Sequence, residues 1–182
     1  MKVTSTALPE VLVLEPDVLA DERGWFMESW NARRFAEATG MGVTFVQDNH
    51  SYSRRHVLRG IHYQRVMPQG KLVRVLAGAA LDVAVDLRRS SPNFARWMSI
   101  ELSAENRKQL WIPPGFGHGV LARSDHVQVL YKVTEHWLAA HDCCVLWSDP
   151  ALGIDWQLDG QVPILAPRDR DAPPLARAEV FD

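Results

Sequence analysis

Three features predict an all-β chain folded as an antiparallel sandwich or small barrel. Segments that read as strands are short and follow one another closely. Several alternate with a period of two: Leu81, Val83, Val85 and Leu87 fall on one face and Asp82, Ala84 and Asp86 on the other, while Met98, Ile100 and Leu102 alternate with Trp97, Ser99 and Glu101. Only one helix candidate stands out, and it lies near the start.

In chain order, residues 9–19 alternate loosely and predict an opening strand, ended by the turn Asp21-Glu22-Arg23-Gly24. Residues 25–30 form an aromatic-rich extended stretch. Residues 31–39 are the helix, with Asn31 as its cap, Phe35, Ala36 and Ala38 as apolar positions, and Gly40 as its stop. Strands are then expected at 57–64, 72–76, 81–87 and 97–102. Leu110-Trp111-Ile112 runs into the turn Pro113-Pro114-Gly115, and Gly115-Phe116-Gly117-His118-Gly119 reads as a glycine-rich loop. Residues 127–133 and 143–147 complete the set. Beyond Asp155, Pro163, Pro167, Pro173 and Pro174 predict an irregular arm packed against the rest. No repeat or linker divides the chain, so residues 1–182 are expected to form one domain.

The composition is that of a globular protein, 47% hydrophobic and 23% charged over 182 residues. A net charge of −2 gives no basis for binding nucleic acid or a membrane surface, so an anion site would need a local cluster of Arg and Lys. The two cysteines, Cys143 and Cys144, are adjacent, which suits neither a disulfide framework nor a zinc motif. No signal-type apolar block or membrane-length window is present, and a cytoplasmic protein is expected.

The stretch Val57-Leu58-Arg59-Gly60-Ile61-His62-Tyr63-Gln64 sets a geometric problem. Strict alternation would place Arg59 and His62 on opposite faces, whereas a bulge at Gly60 would bring both to one pocket. A cation beside an imidazole suits an anionic ligand that must lose a proton. Lys71 opens a strand, His118 sits among three glycines, and Tyr131 lies within a strand as a possible general acid. Asp82 points away from the apolar face of its strand, where a carboxylate needs a partner such as a histidine. Singly, each has an ordinary structural role.

Together with their neighbours these residues resemble the dTDP-4-dehydrorhamnose 3,5-epimerase family. The matching segments are Asp21-Glu22-Arg23-Gly24-Trp25-Phe26-Met27-Glu28-Ser29, Phe45-Val46-Gln47-Asp48-Asn49-His50-Ser51 and residues 57–64. Further on come Gln69-Gly70-Lys71-Leu72-Val73-Arg74, residues 82–88, Leu102-Ser103-Ala104-Glu105-Asn106, Gln109-Leu110-Trp111-Ile112-Pro113 and residues 115–119. They cover nearly the whole chain in order.

The resemblance implies a cupin-type jelly roll acting as a homodimer on a dTDP-4-keto-6-deoxyhexose, with no metal or organic cofactor. The C4 ketone acidifies C3 and C5, so a proton can leave one face and return on the other. Carried over, His62 is the general base, Asp169 holds its second nitrogen, Lys71 stabilises the C4 oxyanion and Tyr131 is the general acid. Gln47, Asn49, Arg59 and His118 contact sugar and diphosphate, and Asp82 orients His118. Arg23, Phe26 and Glu28 belong to a segment that reaches the neighbouring subunit's site. Asp142 and Arg168 supply further contacts, and Trp137 stacks on the base. Gly117 and Val120 are smaller than the family pattern, which predicts a widened pocket wall, and His136 departs from an aromatic. The rivals are a single-centre 3- or 5-epimerase, a metal-dependent cupin using His62 and His118, and a non-catalytic nucleotide-sugar binding module. The metal-dependent cupin lacks the usual His-x-His pair. A binding module has no reason to keep base, acid and lysine together.

Overall fold

The computed structural model describes all 182 residues. The strands are β1 (Lys2–Ser5), β2 (Leu12–Glu15), β3 (Val18–Asp21), β4 (Gly24–Met27), β5 (Gln47–Arg54), β6 (Leu58–Gln64) and β7 (Lys71–Ala77). They continue with β8 (Ala79–Asp86), β9 (Trp97–Ser103), β10 (Gln109–Ile112), β11 (Phe116–Ala122), β12 (His126–Val133) and β13 (Asp142–Cys144). Helices α1 (Ala32–Thr39) and α2 (Pro167–Arg170) complete the regular elements used below. One sheet has the order β1-β2-β10-β7-β12-β5, a second has β13-β6-β11-β8-β9, and β3-β4 forms a separate hairpin. This is the antiparallel, mostly β architecture expected of the jelly-roll class.

Alternation within the strands decides where three apolar clusters lie. Val73 and Val75 of β7, Ala80 and Ala84 of β8, Met98 and Leu102 of β9 and Val127 and Val129 of β12 fill the space between the sheets. The odd residues of β8 (Leu81, Val83 and Val85), followed by Leu87, join Trp156, Leu175, Ala178 and Val180 of the C-terminal arm. The arm is therefore the outer cover of the second sheet. Asp149 ties it down by accepting the Leu175 N–H at 2.5 Å. On the first sheet's outer face, Phe35 of α1 packs with Leu14, Leu72 and Trp111. Burying such a side chain is worth about 1.5–3 kcal/mol. The caps of α1 are as expected: the Asn31 side chain accepts from the Arg34 N–H at 3.1 Å, and Gly40 stops the helix at φ 74°.

Several expectations need correction. The stretch predicted as one strand over 9–19 is two, because the chain leaves β2 at Pro16-Asp17 before entering β3. Residues 116–119 are not a loop but strand: only Gly115 lies in the turn, and His118 sits inside β11. A Cβ on Gly117 would lie 2.3 Å from Ile61, and one on Gly119 would lie 2.6 Å from Trp156, so these glycines admit core side chains. Gly117 thus widens no pocket wall. The strands β1 and β5 were not anticipated.

Candidate active site

The β6 strand solves its geometric problem with a bulge. His118 pairs with His62 and Val120 with Arg59, so two steps along β11 match three along β6. The extra residue is accommodated at Gly60, whose φ of +130° favours glycine. Leu58, Ile61 and Tyr63 consequently all join the core under the arm, while Arg59 and His62 both line a cavity of about 320 Å³.

That cavity lies on the inner faces of the two sheets, beside the edge strand β5. From the first sheet come Gln47, Asn49, Ser51 and Ser53 of β5, Lys71 of β7 and Val127, Val129 and Tyr131 of β12. From the second come Arg59 and His62 of β6, His118, Val120 and Ala122 of β11 and Asp142 of β13. Side-chain contacts join the two sheets at both ends. Arg59 donates from Nε to Ser53 Oγ at 3.0 Å and from Nη2 to the Tyr52 carbonyl at 3.1 Å. Trp137 donates its backbone N–H to Gln47 Oε1 and its indole N–H to Asp142 Oδ2, both at 3.1 Å. The buried Gln64 side chain fixes the segment carrying Trp137, accepting from the Leu138 N–H and donating to the His136 and Met67 carbonyls.

Two histidine–carboxylate pairs stand in this wall. His62 Nε2 lies 2.5 Å from Asp169 Oδ1, and Asp169, in α2 of the arm, is 2% exposed. Its Nδ1 has no protein partner. His118 Nε2 lies 3.0 and 3.1 Å from the two oxygens of Asp82, which is fully buried in β8. The two histidines are tied to separate carboxylates.

Electrostatics distinguishes the remaining groups. Burial pulls the Lys71 ammonium down to about 8, against the opposing pull of the Asp142 and Asp82 charges. Burial pushes the Tyr131 phenol up, reinforced by the Asp142 charge, so the hydroxyl keeps its proton. Burial also works against the Asp142 carboxylate, yet hydrogen bonds from Arg168 and Trp137 outweigh it and hold its carboxyl below the usual range. The Arg168 contact is bidentate, at 2.7 and 3.1 Å.

Of the residues singled out from the sequence, His62, Lys71, Tyr131, Gln47, Asn49, Arg59, His118, Trp137 and Asp142 line this cavity. Asp169, Asp82 and Arg168 stand behind it, each bonded to a lining residue. Val120 also lines it. Arg23, Phe26 and Glu28 do not: Arg23 pairs with Asp21 on the β3–β4 hairpin, Phe26 is 65% exposed, and Glu28 bonds Arg34 and Asn31. Sequence reasoning passed over Ser51, Ser53, Gln69, Ala122, Val127 and Val129 as lining residues. The row 47-49-51-53 carried no signal, because Asp48, His50 and Tyr52 between its members are polar as well.

Comparison with known proteins fits this arrangement. The family model described as dTDP-4-dehydrorhamnose 3,5-epimerase matches residues 5–177. A dTDP-4-dehydrorhamnose 3,5-epimerase of Pseudomonas aeruginosa is 51% identical over 181 residues, covering 100% of this chain and 99% of that one. The Salmonella typhimurium enzyme of the same name is 50% identical, covering 98% and 97%. The crystal structure of dTDP-6-deoxy-D-glucose-3,5-epimerase from Legionella pneumophila, in complex with dTDP-4-keto-L-rhamnose, superposes with a TM-score of 0.93. It shares 44% identity and covers 97% of this chain and 93% of its own. With a model matched almost from end to end and relatives about half identical over their full length, this chain belongs to the dTDP-4-dehydrorhamnose 3,5-epimerase family.

Proposed function

We propose that residues 1–182 work as one catalytic domain that inverts C3 and C5 of a dTDP-4-keto-6-deoxyhexose. The observation that carries this reading is the placement of His62 and Tyr131 on opposite sheets of one cavity, with Lys71 in the same lining. His62 Nδ1 takes the proton from a carbon beside the ketone, while Asp169 holds Nε2–H and thereby fixes the tautomer. The electron pair moves to the C4 oxygen, where the Lys71 ammonium stabilises the enolate. Tyr131 then delivers its proton to the opposite face of the carbon. Solvent resets the two groups, so the reaction consumes no co-reactant.

Arg59, Gln47 and Asn49 are suited to the sugar and diphosphate, and Trp137, 55% exposed at the mouth, to the base. We assign Arg23, Phe26 and Glu28 to a partner's cavity in a homodimer. The hairpin that presents Arg23 and Phe26 exposes Leu19, Trp25 and Phe26 at 68%, 52% and 65%, an apolar surface that supports such pairing. No helix of the chain is long and apolar enough to cross a membrane. The two free thiols support a reducing, cytoplasmic setting.

The deciding experiment incubates the protein with the 4-keto sugar nucleotide in heavy water and follows deuterium at C3 and C5 by NMR. Uptake with inversion at both carbons is expected. Uptake at one carbon alone would mark a single-centre epimerase, and none would mark a binding module.

A further inference from the structure

The strand that pairs with β6 brings a thiol to His62. β13 runs antiparallel to β6, with Cys144 opposite His62 and Cys143 opposite Tyr63. Alternation sends the two adjacent sulfurs to opposite faces. Cys144 Sγ lies 3.8 Å from Asp169 Oδ1, the same oxygen that stands 2.5 Å from His62 Nε2. An imidazole nitrogen, a thiol sulfur and a carboxylate oxygen, from β6, β13 and α2, therefore lie within 4.8 Å of one another. Around a tetrahedral ion with bonds of about 2.0–2.3 Å, such atoms stand roughly 3.2–3.8 Å apart. Sulfur and oxygen already have that spacing. The nitrogen and oxygen need to part by less than about one ångström, which side-chain torsions can supply.

We propose that His62, Cys144 and Asp169 form an inhibitory site for a soft divalent cation, such as zinc or cadmium, that switches off the base. This rests on the reading of His62 as the proton acceptor. A thiolate beside an imidazole selects zinc-like ions over magnesium or manganese. On binding, Cys144 releases its thiol proton to solvent and its sulfur bonds the ion. The neutral imidazole gives the Nε2 lone pair to the ion, so its single proton must move from Nε2 to Nδ1. The nitrogen left to the cavity then carries a hydrogen and can accept none. Inhibition follows from this change of tautomer, so kcat falls while KM changes little.

Two readouts test the proposal. The first titrates the purified protein with cadmium chloride and follows the ultraviolet absorption of a cadmium–thiolate bond. Wild type and Cys143→Ala should show the band with a single ion per chain; Cys144→Ala and Cys144→Ser should not. The second adds zinc chloride to the deuterium-exchange assay. Zinc should lower kcat reversibly, with chelator restoring it, and Cys144→Ala should need roughly tenfold more zinc, or beyond, for the same fractional inhibition. A band that survives in Cys144→Ala, a band lost in Cys143→Ala, or equal zinc sensitivity in wild type and Cys144→Ala would each overturn the site. The band reports binding without turnover. Its presence in an inactive protein would sink only the functional reading, and its absence from an active enzyme would sink only the metal site.

Discussion

His62–Asp169 and His118–Asp82 are pairs of the same chemistry on neighbouring strands, and the two histidines face each other across the β6–β11 ladder. Their surroundings differ. The His62 side chain is 28% exposed and that of His118 8%, while both carboxylates are almost wholly buried. Asp169 arrives from the arm, 107 residues along the chain, whereas Asp82 belongs to the strand next to β11. An imidazole reached by solvent and held on one nitrogen can pass protons. We read His118, mostly buried in the cavity wall with its Nε2 shared between two carboxylate oxygens, as a fixed polar group. On the proposed reading, access, more than the identity of the partners, separates the base from the positioning residue.

The sharpest way to break this comparison is to exchange each histidine for asparagine. His62→Asn should abolish deuterium uptake at both carbons, a loss of about 10²–10⁴-fold, whereas His118→Asn should act mainly on KM. Equal loss of exchange in the two variants would mean that both histidines handle protons. Tyr131→Phe should then lower net inversion far more than exchange, because His62 still forms the enolate and returns a solvent-derived proton from its own face. If exchange and inversion fell together in NMR, the tyrosine would be helping to form the enolate.

Lys71 connects the reaction to the buried pair. Lys71→Met should slow turnover by about 10²–10³-fold, the loss typical of an oxyanion donor. With its pKa lowered from 10.5 to about 8, wild-type kcat/KM should fall as pH rises through that region and the ammonium is lost. Between these two values the unfolded chain binds more protons than the folded one, so Lys71's contribution to stability improves as pH rises across the window. At neutral pH it is a penalty, and chemical denaturation of Lys71→Met should show a gain on the order of 1–3 kcal/mol. The smallest effect sharpens the comparison most. The Asp82 charge helps hold the Lys71 proton, so Asp82→Asn should move the alkaline limb of the pH profile to lower pH. Asp169→Asn should leave that limb in place while lowering the rate. Coincident limbs in the two variants would remove the distinction between the pairs.

How much of this was legible beforehand depends on what each residue reports locally. Met98 to Leu102 announced its strand because water on one side and apolar groups on the other leave a period of two. Leu81 to Leu87 kept that period with both faces buried, because Asp82 and Asp86 have the partners His118 and Arg88. Asn31 and Gly40 announced a helix through its unsatisfied backbone ends. The three-residue spacing of Arg59 and His62 demanded a bulge if both were to meet one ligand, and Gly60 was the residue able to supply it. The roles of His62, Lys71, Tyr131 and Asp169 came from family resemblance, since no local pattern distinguishes a catalytic lysine from a solvated one.

Other features exist only once the chain is folded. β5 escaped notice because its inward row, Gln47, Asn49, Ser51 and Ser53, is polar, lining a cavity where a core strand would be apolar. The glycines flanking His118 looked like loop residues until Ile61, Leu87 and Trp156 filled the space where their side chains would be. The meeting of Asp169 and Cys144 at His62, the burial that lowers Lys71, and the unequal exposure of the two histidines follow from packing the arm and sheets together. Local sequence encodes which face of an element prefers water. Contacts made across more than a hundred residues, and the electrostatic shifts they cause, arise only when those faces close on one another.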